Sequence, residues 1–141
     1  MNYLLDTCFL SELRKPKPHI FVLDWFEIID ERRLFISALS IGELYYGIAL
    51  LQDGKQKKEI KAWMQQIENS YADLIIPINE KVATRWGEMR ALLQSRGITL
   101  NVVDGLLAAT CEVYSLNLVT RNNIDFKDTG INILDPWQMN I

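Results

Sequence analysis

The segment NVVDGLLAATCEVYSLNLVTRN, residues 101–122, holds two patterns in immediate succession. A helical run over about 102–115 feeds within a few residues into a short apolar stretch at 117–120, bounded by polar residues and of strand length. Helix leading directly into buried strand is the unit from which parallel sheets are assembled. Working outward, the same alternation recurs, with strands read near 2–5, 34–37, 73–76, 117–120 and 131–134. Helices are read near 7–14, 19–30, 40–52, 56–71, 80–95 and 102–115. The pattern predicts an α/β protein, one domain over 1–141, with a central parallel sheet of about five strands flanked by helices. Right-handed crossovers gather the strand C-termini on one edge, where open α/β sheets place their sites.

That edge collects an unusual set of charges. In MNYLLDTCFLS (1–11) the only charged side chain is Asp6, in SALSIGELYYGIALLQ (37–52) it is Glu43, and from Ile98 to Cys111 it is Asp104. An overall charged content of 23 % would put about ten charges in stretches of this combined length. All three that remain are acids. Asp6 falls at the end of the first strand, Glu43 in the first turn of the helix after the second, and Asp104 in the first turn of the helix leading to the fourth.

Each acid has a structural reading. Ser40-Ile41-Gly42-Glu43 matches a capping box, and Asp6 and Asp104 suit helix starts favoured by the macrodipole. Together the structural readings are weaker. The helix over 40–52 carries Glu43, Tyr46, Gly47 and Leu50 opposite Ile41, Tyr45 and Ile48, so it is expected to be covered on both sides. A buried acid without a partner costs several kcal/mol, and clustered acids repel, so the cluster calls for a cation.

Oxygen donors without histidine or thiolate select Mg²⁺ or Mn²⁺ over zinc. The two cysteines, Cys8 and Cys111, lie far apart and show no ligand spacing; they read as free thiols in a reducing compartment. The lone His19 follows Lys-Pro-Lys-Pro and reads as a solvated turn residue. A hard cation held by one or two carboxylates and by substrate phosphate oxygens suits phosphodiester hydrolysis. A net charge of −3 excludes nucleic-acid binding by bulk field, but a bound metal reverses the field locally. Basic patches at Arg14, Lys15 and Lys17, at Arg32 and Arg33, and at Lys55, Lys57, Lys58 and Lys61 read first as solvated faces. No run reaches membrane-span length and no basic signal head precedes the first strand, so a cytoplasmic location is expected. Trp25, Trp63, Trp86 and Trp137 read as core or interface anchors.

Four ordered motifs, LLDTCFLSEL (4–13), SALSIGELYYGI (37–48), VVDGLLAATC (102–111) and LVTRNNIDF (118–126), with the ending ILDPW (133–137), resemble the PIN-domain ribonucleases. Within them the likeness is to the VapC and FitB-like toxins of toxin–antitoxin pairs, and it spans nearly the whole chain. The resemblance implies a PIN-like fold, Mg²⁺- or Mn²⁺-dependent endonucleolytic cleavage of RNA, a homodimer, and inhibition by a small VapB-like antitoxin. Carried over by motif, Asp6 and Asp104 become metal ligands, and Glu43 a ligand or a positioner of water. Thr7, Ser40 and Thr120 orient them. Cys8 stands where the family often has asparagine, and Cys111 where a small residue is usual. The fourth acidic position stays open between Asn122, directly after Thr-Arg, and Asp125. Arg14, Lys15, Arg121 and Lys127, near these motifs, are expected to contact RNA phosphates.

Three rival readings are open at this stage. A phosphate-transfer module on a similar sheet would want Asp-x-Asp or further acids near the first strand, whereas Thr7 and Cys8 follow Asp6. A PIN fold that has lost catalysis and binds partners is disfavoured by Asp6, Glu43 and Asp104 together. A PIN-fold nuclease of RNA processing, without an antitoxin, shares every motif.

Overall fold

The computed structural model describes the whole chain, residues 1–141. β1 (Asn2–Leu5) leads to α1 (Thr7–Arg14) and α2 (Ile20–Ile28), and β2 (Leu34–Ser37) to α3 (Ala38–Ala49) and α4 (Lys55–Ser70). β3 (Ile75–Ile76) leads to α5 (Glu80–Ser95) and α6 (Val102–Tyr114), β4 (Leu116–Val119) to α7 (Asn123–Phe126), and β5 (Ile133–Leu134) follows. Short 3₁₀ turns occupy Glu31–Arg33, Ala72–Leu74 and Pro136–Gln138. The five strands pair in parallel in the order β3-β2-β1-β4-β5. Three strands are laid down toward one edge before the chain returns to the other side of β1, so the order reverses between β1 and β4.

The opening segment forms the predicted helix and strand with a single residue between them. Ser115 takes the left-handed conformation (φ 55°) and its N–H bonds the Cys111 carbonyl, ending α6 so that β4 begins at the next residue. Strand alternation then divides the core. Tyr3, Leu5, Leu34, Ile36 and Val119 face one layer with Phe9, Trp25 and Trp137; Leu4, Leu116 and Leu118 face the other with Met89, Leu93, Leu107 and Phe126. In the first layer Trp25 meets Tyr3 and Phe9 edge-to-face, with ring centroids 5.3 and 5.5 Å apart. Trp25 and Trp137 are buried, whereas Trp63 and Trp86 are half-buried.

Four details differ from the sequence expectation. α3 starts at Ala38, not at residue 40, because Ser37 is the cap: its hydroxyl accepts from Leu39 N at 3.1 Å. Ser40 therefore lies inside the first turn, buried, and the capping-box reading with Glu43 fails. The outer face of α3 is open in the single chain, with Tyr46 and Leu50 about two-thirds exposed. The edge strands β3 and β5 shorten to two residues, since each has one neighbour and its flanks are taken by a 3₁₀ turn and by the loop after α7. His19 is exposed as expected, but it also caps α2, its Nδ1 accepting from Phe21 N at 3.1 Å.

Candidate active site

At the point where strand order reverses, the ends of β1 and β4 lie side by side and leave a crevice, the usual ligand position of such sheets. Asp6 sits there. Its backbone N–H donates to the Val119 carbonyl at 3.1 Å, continuing the sheet, while its side chain caps α1. Oδ1 accepts from Thr7 N at 2.8 Å, and Oδ2 accepts from the buried Thr120 hydroxyl at 2.8 Å. The Cys8 thiol lies 3.7 Å from Oδ2. Both carboxylate oxygens are thus fixed, and the capping role and the site role fall on one residue. Thr120 Oγ1 also accepts from Asn122 N at 3.1 Å, tying the turn after β4 to Asp6.

Asp104 is delivered by α6. Asn101 caps that helix, its Oδ1 accepting from Val103 N at 2.9 Å and from Asp104 N at 3.4 Å. Gly105 holds α6 against α5: a Cβ there would lie 2.9 Å from the Trp86 indole. Asp104 is half-buried, and its carboxyl titrates above the usual range because burial penalises its charge and Asp125, Asp6 and Glu43 repel it. No hydrogen bond contributes to that shift, so no side-chain partner in the protein stabilises the ionised form.

Glu43 comes from the second turn of α3, exposed and in no salt bridge. One cavity of about 250 Å³ is lined by Asp6, Thr7, Ser40, Glu43, Asn101, Val103, Asp104, Leu107 and Asn122. Three carboxylates share it with no lysine, arginine or histidine. The structure thus brings together Asp6, Thr7, Ser40, Glu43, Asp104 and Asn122, with Thr120 directly beneath Asp6. Asp125 lies in the adjoining cavity of about 420 Å³ with Arg121, Asn122, Asn123 and Ile124, and reaches Asp104 through its charge. Of the expected RNA-contacting cations, Arg14, Arg121 and Lys127 are exposed outside the cavity, and Lys15 is paired with Glu12 at 3.1 Å. Asn101 was not singled out from the sequence; its only signal there is a cap-type residue ahead of an apolar run.

Neither cysteine pairs with the other. Burial, and then the Asp6 charge, raise the Cys8 thiol and push Cys111 up to about 12, so both stay protonated at neutral pH.

The PIN-domain family model matches residues 3–132. The chain belongs to the PIN-domain family. Among similar proteins, toxin FitB of Neisseria gonorrhoeae is 32 % identical over 95 % of this chain and 97 % of its own length. VapC ribonuclease Y4jK of Sinorhizobium fredii is 26 % identical over 96 % of this chain and 97 % of its own. The crystal structure of FitAcB from Neisseria gonorrhoeae superimposes with a TM-score of 0.91 at 31 % identity, covering 97 % of this PIN domain and 99 % of that chain. The match removes the phosphate-transfer reading. No helix of this PIN domain is long and apolar enough to cross a membrane.

Proposed function

We propose that this PIN domain is an endoribonuclease that hydrolyses RNA phosphodiester bonds with Mg²⁺ or Mn²⁺, and that it is the toxin of a toxin–antitoxin pair. The observation that carries the reading is the cavity in which Asp6, Glu43 and Asp104 meet without a basic side chain. Its donor set is all oxygen, which suits a hard cation. No three acidic, histidine or cysteine side chains stand as a ready-made cage. Mg²⁺ is usually held by one or two carboxylates, with water and substrate oxygens completing its coordination. Asp6, Asp104 and Glu43 would hold the cation, and the chemistry it supplies is Lewis-acid stabilisation of charge at a phosphodiester.

The chain's own residues divide the remaining work. Asp6 is pre-oriented by Thr7, Thr120 and the start of α1, so it anchors. Asp104 and Glu43 keep their carboxylates unengaged by the protein, which leaves Asp104 to bind and Glu43 to bind or to orient a water. Ser40 and Thr7 bring hydroxyls to the cavity wall, and Asn122 a neutral amide. Asp125, one helical turn from Asn122, adds a fourth negative charge at the rim.

The similarity to a FitB toxin and a VapC ribonuclease supports the pairing with a small antitoxin of the VapB kind, in a cytoplasmic setting. Tyr46 and Leu50 on the open face of α3 favour a homodimer that covers them. The test is to incubate the purified chain with RNA in Mg²⁺, in Mn²⁺ and in EDTA. Cleavage restricted to the metal-containing samples is expected, whereas undiminished cleavage in EDTA contradicts the reading. Asp125→Ala is expected to raise the metal concentration needed for half-maximal cleavage and Asn122→Asp to lower it. If Asp125→Ala titrates like wild type, the site works with three acids.

A further inference from the structure

Arg121 stands between two residues of the site: Thr120, bonded to Asp6, and Asn122, which lines the acid cavity. A cation so placed would ordinarily pair with the acids. Arg121 forms no salt bridge in the chain; its guanidinium carbon instead lies 5.0 Å from the centroid of the Trp137 ring.

The Trp137 platform is itself anchored. Its Nε1–H donates to Glu12 Oε1 at 3.1 Å, and its ring meets Phe9 edge-on, with centroids 6.3 Å apart. Glu12 is only 4 % exposed, and it also accepts from His19 N at 3.2 Å and from Lys15 Nζ at 3.1 Å. The end of α1, the start of α2, the turn after β5 and the turn after β4 all meet at this point. Lys15 spends its charge on Glu12, whereas Arg121 spends none. Held against a rigid indole, the guanidinium has less freedom to lose when it takes a ligand, and its planar fork suits a phosphate. It is exposed, and the cavity it lines adjoins the acid cavity through Asn122.

We infer that Arg121, preset by Trp137, binds the phosphate of a nucleotide neighbouring the one cleaved at the acid cavity. Trp137 is then a positioning residue that acts through Arg121, and the pair sets how the RNA strand enters the site. This rests on the ribonuclease reading above.

The experiment measures steady-state cleavage of a single-stranded RNA oligonucleotide by the full chain in Mn²⁺ across a range of salt. Arg121→Gln is expected to raise KM about tenfold while kcat changes far less, the order expected for one charge-assisted hydrogen bond made equally in ground and transition states. The slope of log kcat/KM against log salt should become shallower by about 0.7, the loss of one phosphate contact on a single strand. Arg121→Lys should recover only part of KM. Trp137→Phe should raise KM with the same change of slope, and the double variant should be no worse than Arg121→Gln alone. Arg121 is exposed, so its variants remain informative even if Trp137→Phe folds poorly. A wild-type protein that cleaves RNA beside an Arg121→Gln protein of unchanged KM and salt slope overturns this inference alone. A wild-type protein that does not cleave RNA at all removes the ribonuclease reading and this inference with it.

Discussion

Asp6 and Asp104 show how one residue type serves two ends in this fold. Asp6 satisfies the first amide of α1 and is fixed by Thr120, whereas the charge on Asp104 is penalised by burial and then by repulsion from its acidic neighbours. A carboxyl that titrates higher in the folded chain than in the unfolded one binds its proton more tightly when folded. Metal-free stability therefore falls as pH rises from the ordinary carboxylate range through the raised Asp104 value. Asp104→Asn removes that penalty, so in EDTA at neutral pH its Tm should exceed that of wild type. At a pH below the ordinary carboxylate range, where wild-type Asp104 is itself protonated, the two proteins should melt together. Calorimetric scans at the two pH values decide it, and a variant that melts below wild type at neutral pH contradicts the assignment of strain. The three acids were legible in the sequence because each stands alone in an uncharged stretch. The node of Glu12, Trp137 and Arg121 was not, because 125 residues separate Glu12 from Trp137 and only the packed fold joins them.

Elements carry the site only if they meet at the right height, and two junctions govern this. α6 lies on α5 through Gly105, where a Cβ would meet Trp86 at 2.9 Å. Gly105→Ala should cost about 1–3 kcal/mol, the usual penalty for overpacking a tight contact, and it should slow cleavage by displacing the adjacent Asp104. Adding Trp86→Leu should restore much of both in a denaturation and activity assay, and a double variant no better than the single one places the clash elsewhere. α3 is set by its cap. Ser37→Ala should destabilise by about 1 kcal/mol in urea melts, as loss of an N-cap does, whereas Ser40 caps nothing and its alanine variant should act mainly on cleavage. The sequence pattern favoured Ser40 because a glutamate follows it by three residues, and two serines three positions apart cannot be told apart by pattern alone. Ser37 wins because β2 runs to its end in parallel pairing with Ile76, which leaves the helix to start at once. The strand and helix alternation was otherwise readable, since the buried strands β1, β2 and β4 are short, mostly apolar segments with one polar residue each. The edge strands were over-read because pairing on one side stops where the neighbour does.

Across the whole molecule, a net charge of −3 and an acid cavity at the sheet's switch point oppose RNA binding, and a divalent cation reverses that locally. On the proposed reading, function therefore depends on metal more directly than fold does. The open α3 face adds a second dependence, because Tyr46 and Leu50 call for cover. Light scattering should give twice 16.3 kDa at micromolar concentration, and Leu50→Glu should shift the mass toward the monomer; a wild-type chain of single mass contradicts the covered face. The central claim is that the cavity of Asp6, Glu43 and Asp104 holds the cation that enables RNA cleavage. The most direct test follows the cleavage of one single-stranded RNA by wild type and Asp104→Asn, side by side, through a Mn²⁺ titration. Wild-type cleavage should rise from nothing to a plateau, and Asp104→Asn, folded by circular dichroism, should stay at least about 100-fold slower at every concentration, as the loss of a charged ligand implies. Equal cleavage by the two proteins would contradict it.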